Sequence, residues 1–442
     1  MYVEKSQGEI TDCNFAGNQA QGKGGAILAY QNARTRVLRT RFVENEALVG
    51  GGMSVDTLFQ NFVGLSCCKF RGNVAATTGG GLATSAQPTH VLDCVFENNR
   101  AGSDLSSADC NTPTASGSAG AIYATNSELC LADTLILGNT ASTNAGGMLI
   151  DDGGPTYVTN CVFGENRALG TGGAILNHVA DSYTINNSTF ADNVACGAGG
   201  AIRNETTSLA INNSILWNNG TTPVDDVSST TTIRSTLIEG GWSGSGSGNI
   251  DADPRFADPA AWDFRLARCS PAVSAGDSNL LPDGLCDPND PNVLAHDITH
   301  GPRVIDTLDL GAYEFDDCPG DATGDHAVDL SDLAALLASF GRSSGQPGYE
   351  ACAEFTGDAM VALEDLALLL AHFGDNCGGC LRLCSPACTG EEESLTGGGA
   401  GPSAFTPGGG GASPSSGPAV TLEVDGFDTS AYTGGGFAGE SD

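Results

Sequence analysis

The sequence predicts an all-β chain: a right-handed parallel β-helix, or solenoid, of about eight similar coils, then a small α-helical EF-hand-like module and a disordered C-terminal tail. Three observations carry that prediction. A four-residue motif recurs in phase, made of an aromatic or aliphatic residue, two variable residues and Asn. A Gly pair and a short apolar strand follow most copies six or seven positions later. Composition agrees: 62 Gly, 6% aromatic and 16% charged residues describe many tight turns and small side chains rather than a helical enzyme.

The motif places Asn18, Asn45, Asn73, Asn99, Asn139, Asn166, Asn193 and Asn219 at successive intervals of 27, 28, 26, 40, 27, 27 and 26. Only the interval of 40 breaks the period, and its excess lies in a Ser/Ala/Asp-rich insertion around positions 102–118. Internal repeats of this length denote a solenoid whose coils bury their apolar faces against one another. Short strands would then stack about 4.8 Å apart, and the Asn amides would bond up the stack as a ladder. Asn also tolerates the left-handed backbone of a sharp corner. The Gly pairs (Gly24-Gly25, Gly51-Gly52, Gly80-Gly81, Gly146-Gly147, Gly172-Gly173, Gly199-Gly200) serve another corner, where a Cβ would clash. These columns read as architecture, not catalysis.

Two residues before each apolar position stand Cys13, Thr40, Cys68, Cys94, Thr134, Cys161, Ser188 and Ser214, a column of small, weakly polar side chains expected to face inward. Parallel Cβ vectors about 4.8 Å apart suit a disulfide poorly, so Cys68 and Cys94 are expected as free thiols. Cys110 and Cys130 bracket the end of the insertion and could close it as a disulfide; Cys67 and Cys196 have no evident partner. Sixteen Cys point to an oxidising compartment.

The repeats resemble those of the polymorphic outer-membrane-protein family and of other bacterial surface β-helices. That resemblance covers the chain from about Cys13 to Gly220 and implies a surface-displayed, often adhesive solenoid without a catalytic residue to carry over. Residues 1–234 form the expected coils. Residues 235–316 are expected to cap the open end, and their Asp309-Leu310-Gly311-Ala312-Tyr313-Glu314 is similar to the end segment of choice-of-anchor β-helix proteins. Cys269 and Cys286 are expected to staple this segment. His296 and His300 could suggest a metal pair, but no helix puts them on one face.

Residues 317–376 contain a duplicated loop and helix. Asp321, Thr323, Asp325, the Ala327 carbonyl, Asp329 and Asp332 supply oxygens at the spacing that wraps one calcium ion. Glu354, Thr356, Asp358, the Met360 carbonyl and Asp365 repeat it in weaker form, with Ala362 at the ninth position. Doubled loop–helix units that end in Asp and lack an entering helix resemble the type I dockerin module. The resemblance implies calcium as cofactor and docking onto a cohesin-type receptor, often in carbohydrate-degrading assemblies. The residues at the receptor-reading positions would be Leu330-Ser331 and Leu363-Glu364. His326 and Ala359 stand where that family usually has Gly.

Residues 377–419 combine Cys377, Cys380, Cys384 and Cys388 with a Gly/Ser/Pro linker; the four could bind zinc or an iron–sulfur cluster, but beside a secreted module disulfides are the expectation, with Cys318 and Cys352 as further partners, and residues 420–442 read as the start of a further segment. Met1–Ile10 has neither a basic nor an apolar leader region, so the expectation is a secreted or cell-surface fragment without its signal peptide. No apolar run approaches a membrane span. The net charge of −35 argues against nucleic acid or anionic membrane as partner.

Function follows in three classes: a non-catalytic surface or extracellular protein for adhesion, glycan binding or scaffolding; a polysaccharide lyase or glycoside hydrolase tethered through the dockerin-like module; or a structural spacer. The enzyme would need a carboxylate cluster on one face of the coils. Glu165 and Asp192, at one position of consecutive coils, are the nearest approach, with Asp151-Asp152 on a neighbouring turn and Arg167 and Arg203 nearby. A solvated acidic face explains them more simply.

Overall fold

The computed structural model describes residues 1–377 except 5–6, 32–33, 57–61, 86–87, 103–109, 111–115, 181, 206–207, 282–294 and 306. The chain winds into a parallel β-helix with two nine-stranded sheets, one of ten strands and a minor one of six. The first sheet begins at Tyr2–Glu4 and collects the strands that follow the Gly pairs; the second begins at Gln7–Thr11; the third, at Asn14–Ala16, carries the aromatic position of the motif.

Register is kept from coil to coil. Phe15, Phe42, Phe70, Phe96, Ile136, Phe163, Phe190, Leu216 and Ile238 face one another in the third sheet. A one-residue slip would turn this whole column to solvent, which is why the period is held. The Phe42 and Phe70 rings stack with centroids 4.4 Å apart, and Phe163 and Phe190 at 4.7 Å, the strand spacing itself. Columns beginning at Ile27 and Ile10 complete one apolar core running the length of the rod. Each buried Phe or Ile contributes about 2–3 kcal/mol.

The Asn column bonds as a continuous ladder. Each Asn from Asn18 to Asn193 donates both its backbone N–H and its side-chain amide to Oδ1 of the Asn one coil on, as Asn99 does to Asn139 at 2.9 and 3.0 Å. The second amide proton goes to a carbonyl of the preceding coil, Asn139 to Phe96 at 2.9 Å. The left-handed residue of this corner is not the Asn, as the sequence suggested, but the residue before it: Gly17, Glu44, Gly72, Asn98, Gly138, Glu165, Asp192 and Asn218. Asn is selected by its paired donor and acceptor, not by its backbone.

The Cys/Thr/Ser column forms a second ladder. Each side chain donates to the carbonyl two residues earlier, Thr134 to Ala132 at 2.8 Å and Cys161 to Thr159 at 3.1 Å. Several also accept from the preceding coil, as Cys94 N–H donates to Thr134 Oγ1. Any small γ-donor satisfies the position, so the three residue types interchange and Cys13, Cys68, Cys94 and Cys161 remain free thiols. At the Gly corner the constraint is steric: a Cβ on Gly25 would meet the Gly51 carbonyl oxygen at 2.0 Å.

The parallel stack continues past residue 234 through Leu237–Ile238 and Ser245–Ser247, and Trp242 packs on the end of the core. The first part of the expected cap, through Ile250, is thus at that end, and the described part of the segment that follows leaves it. It turns back along the outer face of the third sheet, where Trp262, Phe264, Ile298, Ala312 and Tyr313 cover Val95, Leu135, Leu137, Val162 and Ala191. The cause lies in the outward positions of that sheet. They read Asn14, Arg41 and Lys69 in the early coils, then Val95, Leu135, Val162, Thr189, Ile215 and Leu237.

Two corrections concern cysteines. Cys110 bonds Cys196 rather than Cys130, with Cα atoms 5.1 Å apart, so the insertion is pinned to a later coil instead of closed on itself. Cys269 bonds Cys352, not Cys286, which lies outside the described residues. Cys67 and Cys130 are also disulfide-bonded. Cys318 bonds Cys377.

The loop–helix module carries helices α1 (Leu330–Ser339) and α2 (Leu363–Ala371) around Val328, Leu336, Phe355, Val361 and Leu369. Besides Cys269–Cys352, ion pairs Arg255–Glu350 and Arg268–Asp317 tie it to the flanking segment.

Candidate functional site

Polar side chains gather on the flank of the coils, on the outward face of the first sheet and in the two loops. On the flank, the closing motif has a physical reading. Gly311 and Ala312 lie directly on the coils, Gly311 N–H donating to Asn213 O at 2.8 Å and Ala312 N–H to Thr189 Oγ1 at 3.0 Å. A Cβ on Gly311, whose φ is +92°, would come within 2.8 Å of Ile215 and Thr189. Asp309 accepts from Ser274 and Phe315 N–H, and Glu314 from Asp309 N–H. Beneath them Arg303, 1% exposed, donates to the carbonyls of Asp309, Gly311 and Ala312 and pairs with Glu314 at 3.6 Å. Burial pushes Glu314 up to about 8, against the pull of Arg303.

His296 and His300 do come together, with ring centroids 4.8 Å apart. His300 Nε2 lies 2.8 Å from Asp93, which raises its pKa, and His296 Nδ1 lies 3.9 Å from Asp133, whose own pKa burial raises. His300 therefore latches the segment to a corner carboxylate of the coils.

Glu165 and Asp192 stand at the left-handed corner, and Asp192 accepts from the Asn218 amide. The sequence reading missed a different group. On the outward side of the first sheet Asp151 bonds His178 Nδ1 at 2.8 Å and accepts from Tyr123 OH at 3.1 Å, while His178 Nε2 lies 3.8 Å from Glu205, itself paired with Arg203. The Asp151 hydrogen bond raises the His178 pKa. The signal was available: His178 follows Asp151, and Glu205 follows His178, by one full period of the coils.

In the first loop, oxygens of Asp321, Asp325 and Asp332 lie within 4.8 Å of one another. Backbone donors fix them: Asp321 accepts from Gly324 and His326 N–H, and Asp332 from Ala322, Thr323 and Asp329 N–H. Thr323 Oγ1 donates to Asp332, Ala327 N–H to Asp325, and Asp329 caps α1. Burial and the neighbouring Asp332 push Asp321 up to about 6. His326 occupies the left-handed sixth position at φ +61°, as Ala359 does in the second loop at +64°.

There Glu354 turns inward on its own loop, accepting from Thr356, Gly357 and Asp358 N–H, while Asp358 accepts from Met360 N–H and Asp365 from Phe355 and Ala362 N–H. Among the described residues no acidic trio gathers in this second loop. The donor set fits a hard cation in the first loop; in the second, Ala362 stands where the first loop has Asp329, so it offers one carboxylate fewer.

Against known families, the Chlamydia polymorphic membrane protein repeat matches residues 12–30 and 93–125. These two stretches of the chain are similar to that repeat. Both stretches contain an Asn-ladder position and a small-residue corner. Repeat type and solenoid together suggest a surface or outer-membrane-type protein. No curated protein and no solved structure matches the chain. Among the described residues no helix is long and apolar enough to cross a membrane, which says nothing of a β-barrel.

Proposed function

We propose that this protein is a non-catalytic surface or extracellular β-helix whose rod serves adhesion, glycan binding or scaffolding. The observation that carries the reading is the use of its repeated polar columns: Asn, Gly and Cys/Thr/Ser positions are consumed in coil-to-coil bonding, while the repeat is of a surface-protein type. The rod offers a long outward surface and commits few groups to chemistry. A structural spacer is the limiting case of this reading, with no ligand at all.

One observation favours the enzyme alternative, a polysaccharide lyase or glycoside hydrolase. The Asp151–His178–Glu205 group holds an exposed imidazole between two carboxylates, an arrangement suited to general acid–base work. Incubation with acidic and neutral polysaccharides in the presence of calcium separates the two readings. Binding without new reducing or unsaturated ends is the expected result. Released ends that disappear in His178→Ala would replace the adhesive reading with the catalytic one.

For the loop–helix module we propose a dockerin-like role, with calcium in the first loop and a cohesin-type receptor as partner. Its support is the converging oxygens of Asp321, Asp325 and Asp332 and a duplicated apolar stripe. Leu330 and Leu363 are 72% and 67% exposed, and Leu337 and Leu370 both 55%. Calcium at 100-fold over its Kd should stabilise the module by about 2.7 kcal/mol. EDTA should lower its melting temperature and leave the coils unchanged, and Asp332→Asn should abolish that response. A module that melts identically in calcium and EDTA contains no calcium site.

A further inference from the structure

The charge of the chain is unevenly placed. The stretch from Met1 to Arg71 holds eight of the 18 Lys and Arg but six of the 53 Asp and Glu, so the early coils are slightly basic in a protein of net charge −35. On the outward face of the second sheet these coils form a cavity of about 510 Å³ whose lining includes Glu9, Arg34, Arg36, Phe62 and Pro88. Arg34 and Arg36 sit two apart on one strand, Arg34–Leu38, so both project from the same side of the sheet. Both are exposed, and neither forms an ion pair among the described residues.

The floor of this cavity is an aromatic ring laid on the sheet. Gly64 stands in register between Arg36 of one coil and His90 of the next. A Cβ there would come within 2.8 Å of the Phe62 ring, so the glycine leaves the gap into which Phe62 lies. The ring meets His90 edge-on at 5.0 Å, and the Arg36 guanidinium lies 5.8 Å from its centroid. Its position is thus fixed from both neighbouring coils.

We propose that this cavity is a binding subsite for an acidic polysaccharide, with a pyranose ring over Phe62 and the sugar's carboxylate or sulfate on Arg34 and Arg36. The inference rests on the glycan-binding reading above and names its place. Guanidinium groups pair with planar carboxylate and with sulfate oxygens through several charge-assisted hydrogen bonds. An aromatic face accepts the apolar C–H side of a sugar, and Glu9 accepts sugar hydroxyls. Repulsion from the acidic remainder of the rod directs such a chain to the early coils rather than along its length.

The test is binding of the intact protein to a uronate polymer, a sulfated glycan, neutral dextran and inorganic polyphosphate, followed by affinity electrophoresis and calorimetry. Arg34→Gln/Arg36→Gln should weaken the acidic glycans at least tenfold, and Phe62→Ala should weaken them several-fold, with unchanged melting. Arg71→Gln, on another face, should change binding less than twofold. The uronate and sulfate arms distinguish which anion is read.

Three results overturn the assignment. Polyphosphate binding as tightly as the glycans would mean that the ring plays no part. Acidic-glycan binding untouched by the three substitutions would leave the glycan reading standing and remove this site from it. Absence of binding to every glycan by folded wild-type protein would remove both.

Discussion

Asn139→Leu is expected to destabilise the coils by about 3–5 kcal/mol, whereas Asn18→Leu should cost less than about 1 kcal/mol. Both residues carry the same motif, so composition does not separate them; position in the ladder does. Asn139 accepts from Asn99 through two donors and itself donates to Phe96 O and Asn166 Oδ1, in a site closed to water. Its loss leaves the Asn99 N–H and the Phe96 carbonyl buried without partners, at about 1–3 kcal/mol each, and an amide donor besides. Asn18 ends the ladder in solvent, where water replaces what is lost. Chemical denaturation of the two variants measures the difference. Equal costs would show that the ladder is ornament to the apolar core, not a source of its register.

The second large effect concerns the flanking segment. Arg303→Met should release residues 296–314 from the coils at a cost of about 3–5 kcal/mol, because it strands Glu314 and takes the side-chain donor from the Asp309 and Gly311 carbonyls, while Ala312 O keeps the Ile298 N–H. The same segment should respond to pH. Glu314, pushed up to about 8, and His300, raised by Asp93, have folded pKa values above their unfolded ones. Stability from such groups is complete below the unfolded pKa and is lost as pH rises through the folded one. Asp133 and Asp309, both raised by burial, act in the same direction. Segment melting should therefore rise between pH 9 and pH 6 in wild type, with a flatter profile after His300→Gln. Limited proteolysis across 295–316 over that range reads the same release, and cleavage that increases towards pH 6 would contradict the assignment.

The coils were legible because each coil imposes the same steric and hydrogen-bonding demand on the same position, so sequence period and structural period coincide. The Asn and Cys/Thr/Ser columns could be read in this way, though the left-handed residue was placed one position late. Lateral packing was harder. Trp262 and Tyr313 bind outward positions whose change from Arg41 and Lys69 to Val95 and Leu135 is visible only once inward and outward faces are told apart. Disulfide partners were not legible at all: Cys110 and Cys196 are 86 residues apart, and only the height of each coil in the stack brings them together. The Asp151–His178–Glu205 group was written at the coil period but in three residue types, and a search for repeated identities passes over it.

The two bonds Cys318–Cys377 and Cys269–Cys352 give the protein a defined mechanical path. A pull applied beyond residue 377 crosses directly to Cys318 and bypasses both helices. The second bond branches from the module into the flanking segment. From there tension passes sideways into the third sheet through contacts spread over several coils, which are loaded together in shear. A chain attached at the last coil would instead peel the rod one turn at a time, each ladder bond meeting the full force alone.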